Sequence, residues 1–167
     1  MHFMNSNELI LHLSKKDKNI SNGSNIGYVT LPLILISEKI LAHIATLLED
    51  KYSISTSELD VLSSLHSSVD EKHTLTPTKL YERLFFSSGG MTKVLKKLEV
   101  KGFIKRLDNK EDKRSKLVRL SKSGKQIVEK SLRDVIELEE KMFSHVNAKE
   151  RATLSELLFK TLDGIKE

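Results

Sequence analysis

The sequence predicts a mainly α-helical fold that carries one β-hairpin. Apolar residues recur at every third or fourth position through most of the chain, which is the helical period. Two short segments near the middle, "FIKRL" (103–107) and "KLVRL" (116–120), alternate with the period of a strand instead. The eight residues between them, 108–115, are charged except for one Asn and one Ser, which favours an exposed connection. These two segments are therefore expected to pair as the hairpin.

The composition narrows the class of protein. The chain has 167 residues, which suits one domain or a compact domain whose additional helices pair with another copy. It has no cysteine, which excludes disulfides, thiolate metal sites and thiol redox chemistry. The apolar run "LPLILI" (31–36) is too short to span a bilayer, and the N-terminus lacks the pattern of a signal peptide. We expect a cytoplasmic protein that does not bind membranes.

Positive charge is concentrated in one part of the chain. Residues 91–130 contain 14 Lys or Arg and 5 Asp or Glu, a balance of +9, whereas the rest of the chain has 14 and 18, a balance of −4. A charge run is often only a solvated surface. Here it coincides with a predicted helix and the hairpin, which favours binding to a polyanion such as nucleic acid.

The N-terminal part is predicted to contain an extension followed by two longer helices. Residues 1–27 are the extension, and a short helix and a loop are predicted there. A long helix follows from about Tyr28 to Lys51, with Pro32 tolerated in its first turns. Ser55 or Ser57 then caps a second helix that ends near Ser68, and residues 70–75 are predicted to be a loop. The first helix has an apolar stripe of Leu33, Ile36, Ile40, Ile44 and Leu47.

A helix-turn-helix is predicted before the hairpin. Thr76 caps a short helix with Pro77 at its first position, and this helix runs to about Leu84. "FFSSGG" interrupts it, and a new helix begins near Ser87 or Ser88 and stops at Gly102. The buried stripe of this second helix is Met91, Val94, Leu95 and Leu98.

Two more helices are predicted after the hairpin of 103–120. Ser121 caps a long helix over about 122–144, and Asn147 with Glu150 caps the last one. Their apolar residues exceed what one small lobe can cover, so a partner chain or packing against residues 28–50, or both, is expected. The element order is that of a winged helix-turn-helix, in which the second helix of the pair enters the DNA major groove.

Two motifs lie within residues 75–126: "SSGGMTKVLKKLEVKGFIKR", and "DKRSKLVRLSKSG", in which Asp-x-Arg-Ser is followed by an alternating strand and a helix start. With these motifs the segment closely resembles the MarR family of bacterial transcription regulators, whose hairpin, called the wing, has the same Asp-x-Arg-Ser. It extends more loosely over 28–165. The resemblance implies a homodimer with three parts: a first dimerisation helix at 28–54, a winged helix-turn-helix domain at 55–120 and C-terminal dimerisation helices at 121–167.

The resemblance also implies a function. Most members of the family repress promoters, and many release DNA when they bind a small, often aromatic molecule. The expectation is a transcription regulator, a repressor, that leaves an inverted-repeat operator when an effector binds. A winged helix used only as a protein-interaction or dimerisation module is the alternative, although such a module would not need a block of +9.

Candidate DNA-binding residues lie on the two helices and the hairpin. Lys side chains can contact phosphate or guanine, and hydroxyl groups and amides at a helix start can contact phosphate or base edges. For two of the candidates there is an alternative to DNA binding: Thr76 could be only a helix cap, and Gly90 only part of a turn that needs small residues. The candidates are Thr76, Thr78, Lys79, Ser87, Ser88, Gly90, Thr92, Lys93, Lys96, Lys97, Arg106, Lys110, Lys113 and Arg114.

One acidic residue has a separate predicted role in the wing. Arg114 matches the wing arginine of the family, and Asp112 matches the acid that pairs with it. Asp112 is expected to orient the guanidinium group for a narrow minor groove, although an ordinary exposed ion pair would give the same pattern.

The remaining polar residues indicate no catalytic or metal chemistry. The histidines form no metal-ligand pattern, and no phosphate-binding loop or nucleophile motif occurs, so no enzyme activity, cofactor or metal is expected. His43, Leu47, Leu62 and His66 are candidates for a ligand cavity through the resemblance, while ordinary core or surface positions remain the alternative for each histidine.

Overall fold

The structure, a computed structural model, describes residues 27–68, 73–84, 88–109 and 116–165. The described residues fall into two units, with the boundary between His43 and Ile44. The helices are α1 (Gly27–Tyr52), α2 (Thr56–His66), α3 (Pro77–Leu84), α4 (Ser88–Val100), α5 (Lys122–Met142) and α6 (Ala148–Gly164). The strands are β1 (Thr74–Leu75), β2 (Ile104–Asp108) and β3 (Lys116–Leu120).

The helix starts follow from local capping. Ser55 Oγ accepts the Glu58 amide at 3.2 Å, while a Glu58 carboxylate oxygen accepts the Ser55 amide at 2.8 Å, so Ser55 is the cap and Ser57 is not. Ser121 accepts the Gly124 amide at the start of α5. Asn147 and Glu150 form the second reciprocal capping box, at α6. The start at Asn147 was predicted from two residues three positions apart and the start at Ser121 from the serine itself, whereas at α2 the structure decides between the two predicted caps.

The β-hairpin is confirmed, and it gains a strand that the sequence analysis missed. Strands β2 and β3 pair antiparallel, with Ile104 opposite Leu120 and Asp108 opposite Lys116. Strand β1 pairs with the other edge of β3, placing Leu75 opposite Val118. The prediction of a loop over 70–75 is therefore wrong for Thr74 and Leu75. Two residues are too few to show a period of two, and their pairing depends on a strand about 40 positions away in the sequence.

The hydrophobic core of the second unit surrounds α2, which packs against α3, α4, α5 and β3. One face of α4 and alternate residues of the hairpin complete this core. The position of α2 therefore sets the positions of both helices of the helix-turn-helix. The fully buried residues include Leu62, Leu65, Leu80, Met91, Leu98 and Val128.

The predicted stripe of α1 is only partly buried in the chain. Ile44 and Leu47 pack against the core of the second unit, together with the fully buried Leu48, which the stripe did not include. In the first unit Ile36 is 47% exposed. The most apolar 18-residue window within Val29–Tyr52 has a mean hydropathy of 1.7, and by length and composition alone this segment could cross a membrane, although the core helix of a water-soluble protein passes the same test. The sequence analysis considered only the shorter run at 31–36 and missed this property.

A polar cluster connects the end of α1 to α5. The Tyr52 hydroxyl group and the Lys51 ammonium group both donate to one carboxylate oxygen of Asp134. Burial and the hydrogen bond to Asp134 raise the pKa of Tyr52 to about 12. The same hydrogen bonds, from Lys51 and then Tyr52, lower the pKa of Asp134. The carboxylate therefore stays ionised and fixes the last turn of α1 on α5.

Candidate nucleic-acid interface

Helix α4 has one apolar face and one basic face. Met91, Leu95 and Leu98 are buried and Val94 is half-buried, as the sequence analysis predicted. Since residues three and four positions apart share a helix face, this packing turns the intervening residues outward. The exposed residues on that outer face include Thr92, Lys93, Lys96 and Lys97. The outer face of α4 is thus a row of ammonium groups with one hydroxyl group near its N-terminal end.

An open groove runs along the C-terminal half of this face. It is lined by Lys93, Lys96, Lys97, Val100 and Lys101. Val100 is 82% exposed, and the sequence analysis did not select it. The sequence did contain a signal that Val100 is exposed, because this apolar residue lies outside the buried stripe of the helix. An apolar group among cations suits contact with a thymine methyl group beside a phosphate backbone.

The short helix α3 places its candidates next to the sheet. Thr76 Oγ1 accepts the Lys79 amide at 3.2 Å, so this hydroxyl group serves as the helix cap. Thr78 and Lys79 are exposed on the first turn of α3. These two side chains are accessible to a ligand that approaches the start of α3.

The hairpin contributes basic residues that already have partners. In β2, Arg106 Nε lies 3.3 Å from a carboxylate oxygen of Glu99, an ion pair between α4 and the wing. In β3, Arg119 Nε donates to Thr74 Oγ1 at 3.0 Å. Both guanidinium groups are half-buried, and these contacts connect the wing to neighbouring elements.

Five of the predicted interface residues lie outside the described residues, and so does the tip of the wing. They are Ser87, Lys110, Asp112, Lys113 and Arg114. Of the other candidates, Ser88 is the first residue of α4, and Gly90 lies in its first turn and is half-buried.

The four candidates for a ligand cavity have different environments. His43 is exposed, and its Nδ1 donates to the Lys39 carbonyl group at 2.7 Å, one turn earlier in α1. Leu47 packs against the core, and Leu62 is fully buried within it. The ring of His66 stacks on that of His73 at a centroid distance of 5.4 Å, and its Nε2 lies 3.3 Å from Glu129. Of the three in the second unit, Leu47 and His66 are half-buried and so partly accessible to a ligand, whereas Leu62 is fully buried.

The basic helix is anchored at its C-terminal end by a contact that the sequence analysis missed. Lys101 Nζ donates to a carboxylate oxygen of Glu58 at 2.7 Å and to the Ser53 carbonyl oxygen at 2.7 Å. Burial alone would raise the pKa of Glu58, but the hydrogen bonds from Lys101 and Ser55 outweigh it and lower that pKa. Glu58 is only 2% exposed and the Lys101 side chain is 30% exposed, so the pair is a salt bridge to a buried carboxylate.

The order of these elements defines the class of protein. A short helix, a second helix with an outward basic face, and an antiparallel hairpin attached to it make a winged helix-turn-helix.

Comparison with known proteins identifies the family. A family model described as the MarR family matches residues 54–116. The multiple antibiotic resistance protein MarR of Escherichia coli is 34% identical over 110 residues, which are 65% of this chain and 74% of that protein. The chain belongs to the MarR family of transcriptional regulators.

Further relatives agree with this assignment. The uncharacterised regulator YdgJ of Bacillus subtilis is 32% identical over 112 residues, 67% of this chain and 66% of that protein. The chain thus spans slightly less than two thirds of the length of YdgJ. A crystal structure of a mutant E. coli MarR complexed with operator DNA superposes with a TM-score of 0.65 at 30% identity, covering 83% of this chain and 99% of that one.

Proposed function

We propose that the protein is a homodimeric, sequence-specific DNA-binding regulator that represses transcription in the cytoplasm. The observation that carries this proposal is the outer face of α4, where Lys93, Lys96 and Lys97 are exposed while the opposite face fills the core. Such a helix can enter a major groove without disturbing the core of its own domain. The operator complex of E. coli MarR, a family member at 30% identity, supports the same role for this chain.

The dimer is proposed from the apolar surface that one protomer leaves uncovered. Leu157, Phe159 and Leu162 of α6 are 56%, 64% and 61% exposed, and Leu41 of α1 is 57% exposed. Exposed apolar surface of this extent is typical of an interface. A second copy also explains the apolar α1 better than a bilayer does, because Glu38 and Lys39 lie in the middle of the apolar segment.

In the proposed dimer the two copies of α4 are related by a two-fold axis. They should therefore select a two-fold symmetric operator. We expect a footprint on an inverted repeat whose half-site centres are about 10 base pairs apart. The logarithm of the association constant should fall linearly with the logarithm of the salt concentration, because several phosphates are neutralised. Footprinting and a salt titration, on a duplex selected by the protein from a random library, measure both.

Two results would contradict this function. A footprint over one asymmetric half-site would exclude the dimeric arrangement. If the folded, dimeric protein selects no duplex at low salt, the alternative function is favoured, in which the winged helix serves only for protein interaction or dimerisation.

The proposed signal is a small aromatic effector. With no cysteine in the chain, a peroxide signal cannot act through a thiol group. The residues proposed for the effector cavity are still His43, Leu47, Leu62 and His66. Leu62 is buried in the core and would form an inner wall of that cavity. A thermal-shift screen of phenolic acids, run with and without the selected duplex, tests the coupling. A compound that stabilises the protein without weakening DNA binding would contradict it.

The wing is proposed to contact the minor groove through Arg114. Arg114→Ala should reduce DNA affinity by about 1–3 kcal/mol, because a guanidinium group is lost from a groove of strongly negative potential. Asp112→Ala should also weaken binding, although it removes a negative charge, because Asp112 is proposed to orient Arg114. Fluorescence anisotropy with the selected duplex measures both, and the melting temperature should change little.

Glu111→Ala is the matched control for the orienting role. It removes the same negative charge from the neighbouring position, but Glu111 is not the residue proposed to pair with Arg114. If both substitutions at 111 and 112 increase DNA affinity equally, then net charge alone governs this loop and Asp112 has no orienting role.

A further inference from the structure

Among the described residues that line the basic groove of α4, Lys101 is the lysine whose ammonium group pairs with a buried carboxylate, that of Glu58. Its Nζ lies 2.7 Å from the Glu58 carboxylate and 2.7 Å from the Ser53 carbonyl oxygen, and its side chain is 30% exposed. These acceptors lie 43 and 48 positions earlier in the sequence. The lysine therefore joins the end of α4 to the connection between α1 and α2.

Glu58 is fully engaged on its side of the contact. One carboxylate oxygen accepts from Lys101, and the other accepts from the Ser55 amide at 2.8 Å as part of the capping box of α2. The side chain is 3% exposed. A buried carboxylate with both oxygens bonded cannot shift without breaking a charge-assisted hydrogen bond.

The Lys101 side chain connects two turns, and each turn contains one residue in the left-handed backbone conformation. Ser53 has a φ of 52°, and Gly102, directly after Lys101, has a φ of 71°. The Phe103 amide donates to the Leu98 carbonyl group at 2.9 Å, which closes the end of α4. The side chain of Lys101 thus fixes the turn after α1 to the turn from which β2 begins.

We propose that Lys101, through Glu58 and Ser53, is the positioning residue that sets the orientation of α4 for reading bases, and that it makes no contact with DNA. This proposal rests on the proposed DNA-binding function. The apolar face of α4 is held by hydrophobic contacts, which have no preferred direction and allow small rotations. A charge-assisted hydrogen bond to a buried carboxylate is directional, and it limits the distance between the end of α4 and α2.

The two roles of a lysine differ in the salt dependence of DNA binding. A lysine that neutralises a phosphate releases a counterion, so its loss lowers the slope of the logarithmic salt plot by about 1. A positioning residue neutralises no phosphate. Its loss should move the whole line to weaker binding while leaving the slope unchanged.

The experiment compares three variants of the full chain with the wild type, using the duplex that the wild type selects from a random library. The double variant Glu58→Gln/Lys101→Met removes both charges, so that no buried charge is left unpaired and the domain remains folded. Lys101→Arg retains a cation with several donors. Lys96→Ala is the matched control for a phosphate contact. Dissociation constants are measured at a series of salt concentrations, and melting is followed by circular dichroism.

We expect the double variant to melt near the wild type and to bind DNA roughly tenfold more weakly at each salt concentration, as for one lost base contact. Its slope should equal that of the wild type. The single variant Lys101→Arg should retain most of the wild-type affinity. Lys96→Ala should lower the slope.

Two results would overturn the positioning role. If the double variant has the reduced slope of Lys96→Ala, then Lys101 contacts phosphate. If it binds DNA as tightly as the wild type, then the salt bridge contributes only to folding. A folded wild type that selects no duplex would instead overturn the proposed DNA-binding function, and the positioning role with it.

Discussion

A chain that ends at Val146 is expected to sediment as a monomer or to aggregate, and to lose specific DNA binding. The deleted segment contains α6, which spans 17 residues, each of them exposed in the protomer. A helix of this length is only marginally stable in water unless it packs against something. Its capping box, Asn147 with Glu150, fixes where it begins but does not provide that packing. We therefore expect the packing to come from a second copy of the chain, as in the proposed dimer.

Point substitutions test the same interface with less disturbance. Leu158 and Leu162 line an apolar groove on α6 together with Phe143, Leu154 and Phe159. Burying each leucine contributes about 1.5–3 kcal/mol. Because about 1.4 kcal/mol corresponds to a factor of about 10 in affinity, Leu158→Asp/Leu162→Asp should raise the dimer dissociation constant by at least about 100-fold. Sedimentation equilibrium at micromolar concentration measures the change.

A control separates apolar burial from charge. Lys149→Gln/Lys160→Gln changes the net charge by the same amount as the double aspartate variant, on exposed positions of the same helix that do not line the groove. It should leave the dimer intact. If the double aspartate variant also sediments as the wild type does, α6 is not the dimer interface.

The helix starts and the face of α4 could be predicted because their causes are local in sequence. The capping box of α2 consists of Ser55 and Glu58, three positions apart, and the outward position of Lys96 follows from the buried residues Leu95 and Leu98 on the same helix. The assignment of these outward residues to DNA binding is a prediction that the structure of one chain does not test. Periodicity shows which face is polar, and only a bound partner shows what that face contacts.

Contacts between distant residues could not be predicted. The Lys101 ammonium group has its partners at Ser53 and Glu58, and no periodic pattern connects positions that far apart. In the sequence Lys101 looks like one more cation of the basic block. Strand β1 was missed for the same reason, since Leu75 becomes part of a strand only through its pairing with Val118.

Gly124→Ala is expected to destabilise the winged domain severely. A Cβ atom at this position would lie 2.0 Å from the Phe103 carbonyl oxygen and 2.9 Å from the Leu120 side chain. The nearest atom is backbone, and Ser121 holds it, since the Ser121 amide donates to the same Phe103 oxygen at 3.0 Å. The first turn of α5 and the start of the wing would have to separate to accommodate one methyl group.

Gly124→Ala should lower the free energy of unfolding by roughly 3 kcal/mol or more. Overpacking a core usually costs about 1–3 kcal/mol, so this loss is at or above the upper end of that range. Urea denaturation followed by circular dichroism measures the loss. Gly102→Ala is the control, because its Cβ would have no atom within 4 Å and its only penalty comes from a φ of +71°. That left-handed conformation costs a non-glycine residue about 1–2 kcal/mol. If Gly124→Ala costs no more than Gly102→Ala, the wing and α5 can separate at little cost, and the close contact at Phe103 does not fix the wing on α5.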